Sequence, residues 1–301
     1  PYTAVVLSVI VYASGSALIE VMVSPMIEAL PSEDKGGQMA LLHSFYCWGQ
    51  LLVVLLSTGA LALFGEWIWK YLPLFWAVVP LLNFFLFLKT PLVIPEQEKE
   101  NRLRTALRTL FSSPVFYLMM LMMLCAGASE QAVSQWASTF AEQGLGVSKT
   151  IGDLAGPMSF AALMGLSRLL YGKFGDKLDL DKFMRMSCLL CIAAYLCISL
   201  VPLPAVGLVG CAVCGFSVGI MWPGTFSKAS AAVKGGGTAL FAMLALAGDV
   251  GCSGGPTLAG FISGCFNGEL RAGILAAIVF PVLLLIGIQL AKKLANNSAD
   301  K

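Results

Sequence analysis

The chain contains nine apolar stretches, each about as long as the roughly 20 residues that cross the hydrocarbon core of a bilayer as an α-helix. They lie near 4–29, 39–64, 67–88, 113–138, 150–172, 183–202, 204–228, 236–264 and 270–291. Only 12% of the 301 residues are charged. A soluble domain carries about twice that share. The pattern predicts an all-α polytopic membrane protein with nine spans.

Several other classes of protein are excluded by the same sequence. A net charge of +2 provides no basic surface for a nucleic acid. His43 is the single histidine, so a multi-histidine metal site is impossible. Walker motifs are absent, so this chain does not itself use ATP. We therefore expect no metal and no cofactor.

The distribution of Lys and Arg predicts the orientation, because basic residues concentrate in cytoplasmic loops. If residue 1 lies outside, three basic residues fall in outer loops: Lys70, Lys149 and Arg271. Fifteen fall in inner loops and the tail: Lys35, Lys89, Lys99, Arg102, Arg104, Arg108, Lys173, Lys177, Lys182, Arg185, Lys228, Lys234, Lys292, Lys293 and Lys301. Arg168 lies inside a span. We expect a multi-pass protein of the cell membrane with a cytoplasmic C-terminus.

An internal similarity suggests two related halves, as in many transporters. Lys35-Gly-Gly and Lys234-Gly-Gly both follow a proline by ten or eleven residues, at an offset of 199. Spans one to three then match spans seven to nine, and three helices are expected to precede residue 1. The predicted organisation is a partial bundle over 1–88, a cytoplasmic loop over 89–112, a six-helix bundle over 113–293 and a tail over 294–301.

Two Cys-x-x-Cys pairs have the spacing of a four-cysteine zinc site. They are Cys188 with Cys191 and Cys211 with Cys214. Both pairs lie inside apolar spans, where thiolates are costly. We interpret them as small residues that fill the protein core.

The inner loop after the fifth span carries the pattern Gly-x-x-x-Asp-Lys, from Gly172 to Asp176 and Lys177. This resembles the signature of the major facilitator superfamily, which recurs after its second and eighth helices. Asp179 stands where that signature usually has a second glycine. The resemblance makes the fifth span helix eight, which again requires three helices ahead of residue 1. It also implies a two-bundle fold with nine of twelve helices present.

The same resemblance implies an inner gate in which the aspartate pairs with basic groups. That role falls to Asp176, with Arg168, Lys177 and Arg185 as its expected partners. The alternative is a solvated loop whose basic residues serve only orientation.

Three spans carry a carboxylate within a row of polar residues at i,i+4 spacing. The rows are Ser16, Glu20, Ser24; Glu130, Ser134, Ser138; and Asp249, Ser253, Thr257. Ionisable groups inside a membrane normally face a cavity or a partner, so each row predicts a cavity wall. The alternative is that the small polar residues serve close helix packing, as Gly251 and Gly255 would in the eighth span.

Two segments resemble the fucose-permease branch of the superfamily. The run from Gly15 through Glu20 to Ser24 and Pro25 is similar to its fourth helix. The run from Leu42 to Gly49 is similar to the start of its fifth helix. The resemblance implies that Glu20 recognises sugar and couples protons, although Ser24 replaces an asparagine of that branch.

Further candidate site residues follow from this resemblance and from helical depth. His43 and Tyr46 occupy positions where the sugar permease has amides, and Glu130 with Trp136 matches a glutamate and a tryptophan of helix seven. At a rise of about 1.5 Å per residue, Glu20 and Tyr46 have similar depths. The repeat offset places Gln50 opposite Asp249. The complete candidate set is Glu20, Ser24, His43, Tyr46, Gln50, Glu130, Gln131, Ser134, Trp136 and Asp249. Trp136 and Trp222 offer stacking faces for a sugar, and the alternative for either is anchoring at the membrane interface.

The predicted function is secondary transport of a small, sugar-like polar solute by alternating access, as a proton symporter. An exporter that exchanges amphipathic compounds for protons is the main alternative. An integral-membrane transferase would require its catalytic groups at one membrane surface, and a receptor would not explain the Gly-x-x-x-Asp-Lys loop. The expected partners are a small-molecule substrate, a proton and the lipid bilayer, with the protein acting as a monomer.

The orientation predicts which face of the membrane exposes the C-terminus. With the native cysteines replaced, Lys301→Cys should react with a membrane-impermeant maleimide only after the cells are permeabilised. Labelling of intact cells from outside would contradict the topology.

Overall fold

The computed structural model describes residues 2–91, 103–233 and 236–299, and these are almost entirely helical. The first part contains α1 (Tyr2–Ala29), α2 (Lys35–Phe64), a 3₁₀ turn (Glu66–Tyr71), α3 (Leu72–Trp76) and α4 (Val78–Phe87). A short helix, α5 (Leu103–Phe111), follows. Lys99 and Arg102 of the central loop, Lys234 between the seventh and eighth spans, and Lys301 of the tail lie outside the described residues.

The second part is a helical bundle. It contains α6 (Pro114–Ser134), α7 (Ala137–Leu145), α8 (Lys149–Asp153), a π-helical turn (Leu154–Met158), α9 (Ser159–Phe174), a 3₁₀ turn (Gly175–Lys177), α10 (Leu180–Leu200), α11 (Pro204–Val218), α12 (Met221–Ala232), α13 (Gly237–Cys265), α14 (Leu270–Ala277) and α15 (Val279–Ala299).

The nine predicted spans are all present among the described residues, which confirms the fold class. Eight helical segments are long and apolar enough to cross a membrane: Tyr2–Ala29, Lys35–Phe64, Glu66–Phe87, Pro114–Gln143, Leu180–Leu200, Ala205–Ala232, Gly237–Cys265 and Leu270–Leu294. The remaining span, expected at 150–172, is helical throughout 149–174. It contains the π-helical turn around Pro157.

Several spans are interrupted, whereas the sequence predicted continuous helices. The seventh span breaks between α11 and α12, and the ninth breaks between α14 and α15. Proline explains both positions, because it has no N–H to donate to the carbonyl four residues earlier. Pro223 leaves the carbonyl of Gly219 without a donor from its own helix, and Pro281 does the same for Ala277.

The core lies mainly in the second part and is rich in methionine, cysteine and aromatic side chains. Cys188, Cys191, Cys211 and Cys214 are buried there as free thiols. The hydroxyl of Tyr195 donates a hydrogen bond of 2.8 Å to the carbonyl of Ser129 and joins α10 to α6. Unbranched and soft side chains such as these fill irregular gaps between helices.

The first part packs as a layer on this bundle. Helix α2 lies along α9, and α1 contacts α2 and α13. Most apolar side chains of α1 to α4 are exposed, which suits the hydrocarbon of a membrane. The cavity described below lies where α1 and α2 meet α6, α9, α12 and α13.

Glycines allow α6 and α13 to approach closely. A Cβ built on Gly251 would lie 2.0 Å from the carbonyl oxygen of Leu124 on α6, and one on Gly255 would lie 2.5 Å from that of Ala128. Gly254, on another face of α13, has no neighbouring atom within 4 Å. The small-residue seam predicted for the eighth span is therefore a real packing surface.

A matched pair of substitutions tests this seam. Gly251→Ala should lower the free energy of unfolding by about 1–3 kcal/mol, the usual cost of overpacking. Gly254→Ala should leave it unchanged or raise it slightly, since alanine favours a helix by about 1 kcal/mol over glycine. Thermal unfolding in detergent measures both variants, and equal melting temperatures would contradict the close contact.

Candidate functional site

A cavity of about 420 Å³ lies between the first part and the bundle. Its polar lining comes from helices that are far apart in sequence. The lining residues are Ser16, Ile19, Glu20, Val23, Leu42, His43, Phe45, Tyr46, Glu130, Gln131, Arg168, Trp222, Asp249 and Cys252. The structure thus brings the three predicted carboxylates, Glu20, Glu130 and Asp249, to one chamber.

A buried ion pair forms one wall of this cavity. The Nη2 atom of Arg168 on α9 lies 3.1 Å from Oε2 of Glu130 on α6. Arg168 is 2% exposed and Glu130 is 5% exposed. Burial of two charges is tolerated only when they are paired and further hydrogen-bonded, and the surroundings of Arg168 meet that condition.

Arg168 also donates hydrogen bonds to two backbone carbonyls. Its Nη1 atom donates to the carbonyl of His43 on α2 at 2.7 Å. Its Nε atom donates to the carbonyl of Gly219 at 2.8 Å. That carbonyl is available because Pro223 has no N–H to occupy it. One side chain on α9 therefore binds α6, α2 and the break between α11 and α12.

His43 is held as a packed residue at the junction of three helices. Its Nε2 atom lies 3.3 Å from the hydroxyl of Ser24 on α1. Its ring stacks on Phe226 of α12, with centroids 5.6 Å apart. Ser24, a predicted site residue, is fully buried and does not line the cavity. It contacts the site through His43.

Glu20 and Asp249 differ from Glu130. Both line the cavity, and neither forms an ion pair with a described residue. Ser16, one turn before Glu20 on α1, lines the same wall. The described lining thus carries three carboxylates and one guanidinium.

A second cavity of about 570 Å³ adjoins the first and shares Tyr46 and Gln131 with it. The Nε2 atom of Gln131 on α6 donates to the hydroxyl of Tyr46 on α2 at 3.4 Å. One turn further, the Nε2 atom of Gln50 donates to the hydroxyl of Ser134, also at 3.4 Å. These two hydrogen bonds join α2 to α6.

The predicted position of Gln50 opposite Asp249 stays a prediction, and the two residues line adjoining cavities. Gln50 lines the second cavity, together with Ser134, whereas Asp249 lines the first. The 199-residue offset relates positions along two helices, but it does not fix which face of each helix turns inward.

The assignment of Trp136 to the binding site also needs correction. Its Nε1 atom donates to the carbonyl of Pro256 at 3.2 Å, and its ring packs next to Gly260 on α13. It lines neither of the two cavities. The α-helix is interrupted at Gln135 and Trp136, between α6 and α7. Trp222 is the tryptophan that lines the first cavity.

The loop with the Gly-x-x-x-Asp-Lys pattern lies at the end of the bundle where α2 begins. Gly172 lets α9 approach α2, since a Cβ there would lie 3.3 Å from the carbonyl oxygen of Gly37. Asp176 and Lys177 are exposed, and Asp176 forms no ion pair with a described residue. The Nε atom of Arg185 donates to the carbonyl of Asp181 on its own helix at 3.1 Å.

The predicted pairing of Arg168 with Asp176 is therefore wrong. Arg168 points into the core, where Glu130 supplies the countercharge that a buried guanidinium requires. An arginine and a glutamate inside two different spans already indicated such a pair, because buried charges need partners.

Asp179 has a structural role in this loop. Its side chain accepts a hydrogen bond of 2.9 Å from the backbone N–H of Lys182 and caps the N-terminus of α10. This hydrogen bond holds the pKa of Asp179 below its usual range, because it favours the charged form.

The apolar part of the cavity wall was not predicted from the sequence. Ile19, Val23, Leu42, Phe45 and Cys252 line it beside the polar groups. Ile19 and Val23 neighbour Glu20 on the same helix, so the helical period around that carboxylate was the available signal.

Comparison with known proteins identifies the family and the fold. The family model of the major facilitator superfamily matches residues 1–256. The chain belongs to the major facilitator superfamily. It is therefore a multi-pass membrane transporter of small molecules and not an enzyme. No curated protein sequence matches it.

Two solved structures share the fold of this superfamily member. A variant of the E. coli fucose:proton symporter FucP has a TM-score of 0.79 and 15% sequence identity, covering 96% of this chain and 77% of FucP. A FucP structure in the outward conformation has a TM-score of 0.76 and 14% identity, with 96% and 76% covered. The predicted resemblance to fucose permease is confirmed at the level of the fold.

Proposed function

We propose that this transporter moves a small, neutral, hydroxyl-rich solute of the sugar class together with protons. The observation that carries the proposal is the cavity in which Glu20 and Asp249 have no ionic partner within the described part of the chain and lie beside the Glu130–Arg168 pair. The carboxylates and the polar groups of Ser16, Tyr46 and Gln131 provide several donors and acceptors for hydroxyl groups.

The charge of the lining argues for a neutral solute. Arg168 is engaged by Glu130 and two carbonyls, so it offers little attraction to an external anion. Two further carboxylates face the same space. A carboxylate or phosphate solute would meet like charge there.

Glu20 is the proposed coupling residue. A carboxylate without an ionic partner in a membrane cavity can take up a proton when the cavity is dry and release it when water enters. Protonated, it donates a hydrogen bond to a solute hydroxyl; charged, it only accepts. Proton and solute binding are thereby linked at one side chain. FucP, which shares the fold, is a fucose:proton symporter, and this supports the same mode of transport here.

A second candidate function is the export of amphipathic compounds in exchange for protons. The aromatic rings of Phe45 and Trp222 and the side chains of Ile19, Val23 and Leu42 favour it. Export would lower the accumulation of solute in energised vesicles, whereas symport raises it.

The proposal includes the membrane placement and the inner loop. We assign the end of the bundle that carries the loop of Asp176 and Lys177 to the cytoplasm, in a cell membrane, with the C-terminus on that side. The described basic residues near that end outnumber those at the other end, which favours this orientation. Gly172, Asp176, Lys177 and Arg185 are then placed to act in an inner gate.

Replacing Glu20 separates exchange from accumulation. Glu20→Gln should keep the fold and the exchange of a labelled sugar, since the amide imitates the protonated acid. Accumulation driven by a pH gradient should be lost, because the amide cannot release a proton. Uptake of a panel of labelled sugars into proteoliposomes, with and without the gradient, measures both activities.

The matched control is Glu28→Gln, which changes a glutamate on the same helix outside the two cavities. It should accumulate sugar as the wild type does. If Glu20→Gln still accumulates sugar with the wild-type dependence on pH, the coupling residue is not Glu20.

A further inference from the structure

We propose that the second cavity is an entry subsite, which binds a neutral, hydroxyl-rich solute before that solute reaches the first cavity. This inference rests on the proposed function, which supplies the solute class and the orientation in the membrane. The second cavity has a volume of about 570 Å³, and ligand pockets usually have about 300–1,000 Å³. It is therefore large enough to hold a monosaccharide of its own.

The second cavity lies beyond the first, on the side away from the loop with the Gly-x-x-x-Asp-Lys pattern. Helix α2 begins near that loop, and its residues reach the first cavity at His43 and the second at Gln50. Helix α6 runs in the same direction, since Gln131 pairs with Tyr46 and Ser134 pairs with Gln50. In the proposed orientation, the second cavity therefore lies between the first cavity and the outside of the cell.

The lining of the second cavity is polar but uncharged within the described part of the chain. Its polar residues are Tyr12, Tyr46, Gln50, Gln131, Ser134 and Gln135. The first cavity, in contrast, is lined by three carboxylates and a guanidinium. Amides and hydroxyls provide both donors and acceptors of hydrogen bonds, as a sugar does, whereas a charged solute would find no countercharge here. The lining therefore favours a neutral polyol.

The hydrogen bonds across this cavity use only part of the capacity of their groups. Gln131 and Gln50 each donate one amide N–H, and the hydroxyls of Tyr46 and Ser134 each accept. Among the described residues, neither hydroxyl hydrogen has an acceptor and neither glutamine carbonyl has a donor. A solute hydroxyl can accept a hydrogen bond from one of these groups and donate a hydrogen bond to another.

Two glutamines show this unused capacity most clearly. The Oε1 atom of Gln50 is buried without a hydrogen-bond partner among the described residues, and an unpartnered buried acceptor is unfavourable. Rotation of this amide toward a bound hydroxyl would relieve that cost. The side chain of Gln135 lines the cavity and has no hydrogen-bond partner within the described part of the chain. It is available to a solute without breaking any contact.

Tyr46 and Gln131 connect the subsite to the first cavity, because they line both. The hydrogen bond between them is 3.4 Å long, whereas N–H···O bonds are usually about 2.9–3.0 Å. So long a bond is weak, and it can be exchanged for bonds to a solute at little cost. A solute in the second cavity thus already contacts groups that line the first.

The test is protection of single cysteines by sugars on the purified transporter in nanodiscs, with the native cysteines replaced. Val53→Cys reports the second cavity and Val23→Cys reports the first. The probes are D-glucose, D-galactose, L-fucose and myo-inositol. At ten times its dissociation constant, a bound probe should slow maleimide labelling at position 53 about tenfold, since only the unoccupied fraction reacts.

A matched set of variants shows whether the probe sits in the second cavity itself. Gln135→Leu should raise the dissociation constant for protection at position 53 by roughly 2- to 12-fold, the usual worth of a neutral hydrogen bond. Protection at position 23 should stay unchanged, because an entry subsite does not alter the equilibrium at the first cavity. Gln143→Leu, an exposed glutamine outside both cavities, should change neither.

Two results would overturn the proposal. One is that none of the four probes protects position 53. The other is that Gln135→Leu leaves that protection unchanged, because protection would then come from a solute in the first cavity.

Equilibrium dialysis with radiolabelled probes covers the case in which the cysteine-free protein does not fold. The transporter with its native cysteines should bind two molecules of a probe at saturation, and the double variant Gln50→Leu with Gln135→Leu should bind one in the same concentration range. A single molecule bound to the wild type would overturn the proposal. Failure of accumulation driven by a pH gradient would contradict only the proposed function, since neither binding measurement involves a gradient.

Discussion

The buried ion pair between Arg168 and Glu130 is the constraint on which the rest of the site depends. A guanidinium in the core of a membrane protein must have its charge and its N–H groups satisfied. Here α6 supplies the carboxylate, α2 supplies one carbonyl, and the break before α12 supplies another. The helix break caused by Pro223 is therefore also what allows the third hydrogen bond.

This arrangement divides the polar groups of the cavity into two kinds. Glu130 is committed to Arg168, and His43 is packed between Ser24 and Phe226. Glu20 and Asp249 remain without an ionic partner among the described residues. Groups that are ion-paired or packed, such as Glu130 and His43, hold helices together, whereas Glu20 and Asp249 are available to bind a proton or a solute. The proposed roles follow from this division.

The sequence predicted the spans well because a bilayer requires about 20 apolar residues for each of them. It also predicted that Glu20, Glu130 and Asp249 would face a cavity, since a carboxylate inside a membrane span is costly unless it faces a cavity or a partner. The fold and the superfamily are confirmed. The roles of these residues remain proposals.

Other features could not be read from one sequence. The face that Gln50 presents depends on helix rotation, which packing decides. The position of Trp136 depends on its hydrogen bond to the carbonyl of Pro256, which lies 120 positions away in the sequence. The resemblance to the superfamily loop made Arg168 an expected partner of Asp176, but its partner is Glu130, 38 positions away in the sequence. Long-range pairing of charges is the information that a local motif lacks.

Proton symport requires the solute and the proton to cross the membrane in the same direction. The direct measurement is the internal pH of proteoliposomes that contain the wild-type protein and a pH-sensitive dye, after a sugar that they take up is added outside. The account predicts acidification of the lumen that scales with sugar uptake. Alkalinisation, or sugar uptake with no pH change, would contradict proton symport.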